Sequence, residues 1–309
     1  MSTNMKAVII NEYGDNSVVR LAEIALPEPQ AGEVRIRIHA AGVNPVDWKI
    51  RDGAGQRMGM TLPIHLGSEI SGTIDRLGDG AGRFRVGDAV YGIVAAGGFA
   101  GYAIARAADI ALKPASLDFT EAAAVPLGAL TSWQALFDVA RLARGQRLFV
   151  TNASGGVGSL AVQLAKSIGA HVTAMASAGN EAWVRSLGAD AFIAHDRQVF
   201  EQAAQDMDVV FDTVGGEIFR RAFATLRKGG CLVTAVAFPQ DEAQQYGVHA
   251  ARVACQPDAG QLAAIGELAD AGKLRAKVGS VLPLADVRQA LELVQRGRTG
   301  GKVVLQLAP

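Results

Sequence analysis

The sequence predicts an α/β chain built in two parts, an irregular β-rich domain and a doubly wound parallel sheet. Three observations carry that expectation. The first 120 residues break into short apolar strands separated by glycine and proline; from Glu121 onward apolar strands alternate with helices; and a glycine-rich turn joins the first of those later strands to a helix. A length of 309 residues also exceeds what one hydrophobic core usually serves.

In chain order, the segments 6–10 and 33–39 alternate apolar and polar residues with a period of two, the mark of half-buried strands. Pro27, Pro29 and Gly32 precede the second, and Gly72, Gly78, Gly80, Gly82 and Gly87 punctuate the later strands, up to Tyr91 and Gly92. At Thr120 a hydroxyl can cap a helix that continues through a run of alanines. Strands are expected at 148–151, 171–176, 191–194, 208–212 and 231–236, with helices at 156–168 and 180–187 among them. Nearly continuous apolar strands separated by amphipathic helices imply a parallel sheet covered on both faces, a Rossmann-type pattern. After Pro257 come a helix (261–270), a strand (278–282), a helix (284–296) and a closing strand (302–305), with turns at 271–273 and 297–301. The expected division is 1–120 with 258–309 for the β-rich domain and 121–257 for the parallel sheet.

Composition excludes some roles. Lys and Arg balance Asp and Glu at 30 each, so no long-range field draws the chain to nucleic acid or an anionic membrane, and a small-molecule role is expected. Cys231 and Cys255 are the only cysteines, both in apolar runs and without metal-ligand spacing, so free buried thiols in a reducing compartment are expected. Residues 1–6 contain no apolar signal core, and no apolar run reaches the roughly 20 residues of a membrane span. The expected location is the cytoplasm.

The most informative motif is Ala153, Ser154, Gly155, Gly156, Val157, Gly158, between a strand and the helix after it. A dinucleotide pyrophosphate needs backbone N–H groups at a helix N-terminus, no Cβ where the backbone meets phosphate, and a small residue where helix packs on strand. Gly155, Gly156 and Gly158 meet these needs, while Ala153 stands where the first glycine of the fingerprint belongs and calls for a slightly different turn. Enzymes that take NAD place a carboxylate about 20 residues beyond the glycines, on the ribose 2′-hydroxyl. Here the segment 174–180 has none; Ser177 and Asn180 can donate to a 2′-phosphate, and NADPH is the expected cofactor. No arginine immediately follows the strand, and Arg185 reads equally as a phosphate contact or as a solvated helix residue. The loops holding Thr213 and Val214, and Ala235, Val236 and Phe238, come after apolar strands and are expected to line the nicotinamide end.

The segments at 42–47 (GVNPVD), 66–72 (LGSEISG), 86–92 (VGDAVYG) and 153–158 (ASGGVG) together resemble the quinone oxidoreductase and enone reductase branch of the medium-chain dehydrogenase/reductase superfamily, the zinc-independent relatives of zeta-crystallin. The resemblance spans nearly the whole chain. It implies a GroES-like catalytic domain, an inserted cofactor domain, and cofactor contacts from Asn44, Thr131, Gly301 and Lys302. Asn44 would lie beside the nicotinamide and substrate, and Thr131 would approach the nicotinamide. Zinc alcohol dehydrogenases of this superfamily carry cysteine where Asn44 stands and histidine where Ser68 stands, before a glutamate retained here as Glu69; Asn and Ser are poor zinc ligands, and no metal is expected. His39 and His65 are scattered and lack a thiolate.

The implied chemistry is hydride transfer to an already electrophilic acceptor, a quinone or an α,β-unsaturated carbonyl, with the protein orienting two flat molecules and excluding water. Lys49, where some quinone reductases have tyrosine, is a candidate donor to an enolate or an anionic acceptor, and equally a solvated charge. Trp48 reads as an aromatic wall or, with more weight, a packed core residue; Asp47 as the cap of its turn. The pattern at 248–254, opening on Val248 and closing on Ala254, falls where the resemblance implies an edge strand that in relatives joins two copies; a homodimer is expected, with a capped edge in a monomer as the alternative. Two alternatives stand beside the reductase: an NADPH-binding protein with little turnover, in a sensing, structural or RNA-associated role, and a reductase of one activated alkene, such as a halogenated or CoA-linked acrylate.

Overall fold

A computed structural model describes residues 3–297 and 299–307. Met1, Ser2, Arg298, Ala308 and Pro309 lie outside it, and with them the start of the segment read for a signal core and one residue of the turn at 297–301. The chain divides into two compact units, Met1–Leu127 with Pro257–Pro309, and Gly128–Gln256.

The first unit is the β-rich GroES-like part. Its strands are β1 (Asn4–Ile10), β2 (Val19–Ala25), β3 (Glu33–Val43), β4 (Ile64–His65), β5 (Glu69–Leu77), β6 (Ala89–Ile93), β7 (Tyr102–Arg106) and β8 (Ile110–Leu112). β1 lies between β2 and β4 in a small antiparallel sheet. The long β3 organises a larger one, because its first half pairs with β7 and its full length with β5. The alternation in β3 works as expected for Val34, Ile36 and Ile38, which enter a core shared with Val8, Ile10, Ile70 and Phe99. Arg35 breaks the pattern and is buried, because its guanidinium meets the Asp75 carboxylate at 2.6 Å and Glu28 at 3.0 Å.

The expected cap at Thr120 is corrected. Asp118 caps the helix Phe119–Ala122: its Oδ1 accepts from the Glu121 N–H at 2.7 Å, while Glu121 Oε2 accepts from the Asp118 N–H at 3.0 Å. This reciprocal pair satisfies two donors at once, which a lone threonine hydroxyl cannot do. The helix does not run on through the alanines either; it stops at Ala122, and a new one starts at Pro126.

The second unit is the Rossmann-type sheet, with β9 (Arg147–Val150), β10 (His171–Ala176), β11 (Ala191–Ala194), β12 (Met207–Asp212), β13 (Leu226–Thr234) and β14 (His249–Arg252). All pairings are parallel, in the order β11-β10-β9-β12-β13-β14. The chain order reverses between β9 and β12, which opens a crevice at the carboxyl ends of those strands. Phe149, Met175, Val210, Phe219, Phe223 and Leu232 form the core. β13 starts five residues earlier than expected and stops at Thr234, and β14 is the short edge strand within 248–254. Cys231 and Cys255 are only partly buried, not fully buried as expected; burial raises the Cys231 thiol above its ordinary pKa.

Returning to the first unit, the chain adds β15 (Val278–Pro283) and β16 (Lys302–Gln306), parallel to each other. β16 pairs antiparallel with the end of β3, so β5, β3 and β16 lie side by side.

Candidate functional site

In the second unit the glycine turn comes after β9 as expected. The Ala153 N–H donates to the Met175 carbonyl at 2.7 Å, and Ala153 is fully buried. The left-handed residue that a first glycine would have supplied is instead Asn152, at φ +49°, a conformation asparagine tolerates better than most residues. A Cβ on Gly155 would meet the Asn152 side chain at 2.7 Å, and one on Gly158 would meet the Asn152 carbonyl at 2.4 Å and Ala153 Cα at 3.0 Å. The obstacle at Gly158 is backbone, which cannot yield without moving the turn, whereas that at Gly155 is the end of a side chain. No side chain caps the helix Gly158–Ser167, whose first N–H groups and positive dipole end suit a pyrophosphate. Ser154, Gly155, Gly156, Val157 and Gly158 thus fit the anionic middle of a dinucleotide.

Thr131 lies buried in the helix Pro126–Trp133. Its neighbour Ser132 places Oγ within 2.8 Å of the Gly128 carbonyl and 3.0 Å of the Val157 carbonyl, tying that helix to the glycine turn. After β10, Ser177 Oγ accepts from Asn180 Nδ2 at 2.8 Å, which leaves the hydroxyl proton to donate elsewhere.

The strand-end loops are gathered by Asp212, the last residue of the expected strand 208–212, whose anchoring role the sequence did not reveal. Asp212 is fully buried, and its carboxylate accepts from Thr151 Oγ1 (3.1 Å), Thr234 Oγ1 (2.7 Å) and the N–H groups of Val214 (3.0 Å) and Gly215 (3.1 Å). Thr234 Oγ1 in turn accepts from the N–H groups of Val236 (3.2 Å) and Ala237 (3.0 Å). Thr213, Val214, Ala235, Val236 and Phe238 are thereby held at the ends of β12 and β13. Val214, Val236 and Phe238 leave much of their apolar surface exposed, and the Arg252 guanidinium lies 4.4 Å from the centre of the Phe238 ring.

In the first unit the pairing of β5, β3 and β16 brings together Glu69, which opens β5, Asn44, which comes directly after β3, and Lys302, which opens β16. The Lys302 ammonium contacts Glu69 Oε2 at 2.6 Å and Asn44 Oδ1 at 2.5 Å. Asn44 Nδ2 donates to Glu69 Oε2 at 2.8 Å and to the Gly42 carbonyl at 3.3 Å, so the amide is fixed at both ends. Glu69 Oε1 accepts from the Leu127 N–H at 2.8 Å. Gly42 is obligatory here, because a Cβ would lie 2.3 Å from Glu69 Oε2. Asp47 caps the turn as expected, accepting from the Asn44 N–H at 2.7 Å. Burial, aided by the Glu69 charge and opposed by that hydrogen bond and by Lys302, pushes its carboxyl up to about 7.

Asn44 and Lys302 are thus joined, and Gly301 precedes Lys302 where a Cβ would strike the Lys277 carbonyl at 2.4 Å. Lys49 does not join them: it is exposed, with its ammonium 5.7 Å from the centre of the Trp48 ring. Trp48 packs against the core of this unit. His39 stacks on Phe119 at 4.2 Å and lies 3.0 Å from Thr73 Oγ1; burial, then the nearby Arg37, lowers its pKa. Among the described residues no three His, Cys, Asp or Glu side chains converge as metal ligands do. Glu69 was visible in the sequence only as a remnant of a metal site. The signal was a carboxylate opening an apolar strand, which must find a buried partner.

The family described as Alcohol dehydrogenase GroES-like domain matches residues 30–115, and the one described as Zinc-binding dehydrogenase matches residues 187–305. The chain is similar to a mitochondrial NAD(P)H oxidoreductase of Mus musculus, at 32% identity over 99% of this chain and 90% of that protein. It is similar to a 2-methylene-furan-3-one reductase of Solanum lycopersicum, at 31% identity over 99% of this chain and 80% of that protein. Among solved structures it resembles the quinone oxidoreductase from Coxiella burnetii, with a TM-score of 0.92 and 30% identity over 99% of this chain and 100% of that one.

Proposed function

The chain belongs to the medium-chain dehydrogenase/reductase superfamily, in its quinone oxidoreductase and enone reductase branch, and is an oxidoreductase served by a nicotinamide cofactor; we propose that it uses NADPH to reduce a quinone or an α,β-unsaturated carbonyl without zinc. The observation that carries the reading is the buried Asn44, Glu69 and Lys302 cluster. Where a metal would need Glu69 and its neighbours as donors, an ammonium already neutralises the carboxylate, and both ends of the Asn44 amide are engaged.

The nicotinamide supplies the hydride when bound. The glycine turn and the helix behind it hold the pyrophosphate, Ser177 and Asn180 donate to the 2′-phosphate, and the Asp212-anchored loops present Val214, Val236 and Phe238 to flat rings. By resemblance to the family, Thr131 is assigned to the nicotinamide and Asn44 to the acceptor. Lys302 carries three N–H donors, two of them directed at Asn44 and Glu69, and so holds the Asn44 amide in one orientation. The location proposed is the cytoplasm, and β14, the last strand of its sheet, supports a homodimer joined edge to edge.

The test monitors NADPH oxidation at 340 nm against ortho- and para-quinones, short and long enones and acrylate derivatives, with and without EDTA. Turnover unaffected by chelation is expected, with planar quinones and enones leading. Tight NADPH binding with no turnover on any acceptor would replace the reductase by a binding role, and loss of turnover on chelation would restore a metal.

A further inference from the structure

The turn after β10 carries no carboxylate of its own, yet the fold brings one to it from the neighbouring strand. β11 pairs in parallel with β10, Ala194 opposite Ala176, so the residues following both strands emerge side by side. The His195 N–H donates to the Ala176 carbonyl at 3.1 Å, and Asp196 Oδ1 accepts from the Ala178 N–H at 3.0 Å. Ala178 lies between Ser177 and Asn180, in the short helical turn Ala178–Asn180. The bond from Ala178 is the chief influence holding the Asp196 carboxyl below its ordinary pKa; slight desolvation opposes it, and the nearby Arg197 and His195 assist. Asp196 is therefore an anion wherever the enzyme works, and it already uses one of the turn's backbone donors.

A ribose at this turn meets that anion differently in the two cofactors. A 2′-hydroxyl finds an acceptor, whereas a 2′-phosphate finds a charge of its own sign and one N–H fewer. We infer that Asp196 is a specificity-determining residue that limits the preference for NADPH and admits NADH as a second hydride source. This rests on the reading that the turn at 177–180 receives the ribose of a nicotinamide dinucleotide.

The experiment measures kcat and KM for NADPH and NADH with one quinone acceptor, for the wild type and for Asp196→Asn, whose amide oxygen can still accept from Ala178. The NADPH:NADH ratio of kcat/KM is expected to rise about tenfold, through KM for NADPH with kcat unchanged, and the gain to shrink at high salt as charge repulsion is screened. Asp196→Ala, which removes the hydrogen bond as well as the charge, should raise the ratio too. A merely structural residue would weaken both cofactors together, so an unchanged ratio in both variants overturns the inference while leaving the turn as the ribose site. Failure of the wild type to bind either cofactor in a fluorescence titration overturns the underlying reading instead.

Discussion

Replacing Glu69 by Gln removes one charge from a place where water cannot compensate for the loss. The Glu69 side chain is 0% exposed and that of Lys302 is 8% exposed, with 2.6 Å between them. Removing one partner of such a pair leaves the other charge buried and unpaired, at a cost of about 3–5 kcal/mol. The amide also presents one acceptor where the carboxylate presented two, so either the Leu127 N–H or the Lys302–Asn44 side of the cluster loses its oxygen. That loss overlaps with the first, and a total of about 4 kcal/mol is expected. At roughly 2–4 °C per kcal/mol for a unit of this size, the melting temperature should fall by about 8–16 °C. Of the three tryptophans, Trp48 is the one in the first unit, so urea unfolding monitored by its fluorescence, with Trp133 and Trp183 replaced by Phe, reads the right unit. The double variant Glu69→Gln with Lys302→Met removes both charges and should recover at least about 2 kcal/mol of the single variant's loss. In the folded Glu69→Gln protein, kcat should fall because the Asn44 amide loses its carboxylate partner and is held less firmly. A single variant within about 1 kcal/mol of the wild type, or a double variant no more stable than the single, would refute the claim that this pair holds the site.

Two further predictions rest on single groups. The Asp47 carboxyl, pushed up to about 7, ionises at about 3.9 in the unfolded chain. The folded state thus binds the proton more tightly, so stability is greatest below the unfolded value and is lost as pH rises through the folded one. Between about pH 5 and pH 8 the loss should be about 3 kcal/mol; denaturant midpoints at the two pH values measure it, and an Asp47→Asn variant with the same slope as the wild type would show the titrating group to be another. At Gly158, an alanine Cβ would lie 2.4 Å from the Asn152 carbonyl, a backbone atom that can yield only by moving the glycine turn. Overpacking of this kind costs about 1–3 kcal/mol, so Gly158→Ala should weaken NADPH by about tenfold to a hundredfold in a fluorescence titration while the far-UV circular dichroism stays unchanged; undiminished affinity would mean that the turn does not hold the pyrophosphate.

Much of this architecture is legible in the sequence because it is encoded locally. β10 and β11 fall at the expected residues, and the glycine turn lies between strand and helix as its spacing requires, since a period of two and a triplet of glycines act over a few neighbouring residues. The cap at Asp118 was less legible because Thr120, two residues on, is also a capping type, and the reciprocal bond with Glu121 shows which of the two is used. The charge cluster was hidden for a different reason. Asn44 stands 25 residues from Glu69, and Glu69 stands 233 from Lys302, so their meeting depends on the register of β5, β3 and β16, which no local pattern states. Asp196 was missed in the same way: a search along the chain after β10 finds no acid, whereas the neighbouring strand supplies one 18 residues later.

The two units share one device for holding functional loops. Each buries a carboxylate completely at the point where neighbouring strands end, Glu69 in one and Asp212 in the other. An ionised carboxylate accepts and cannot donate, so it is stable there only if donors converge on it from several directions. In the first unit those donors are Leu127, Asn44 and Lys302, and in the second they are Thr151, Thr234, Val214 and Gly215. The cost of burying the charge is thereby turned into geometric constraint: any loop that drifts leaves an unpaired anion behind it. Position is thus set by the buried acceptors, and the side chains of Val214, Val236 and Phe238, which leave apolar surface exposed, take no part in either anchor.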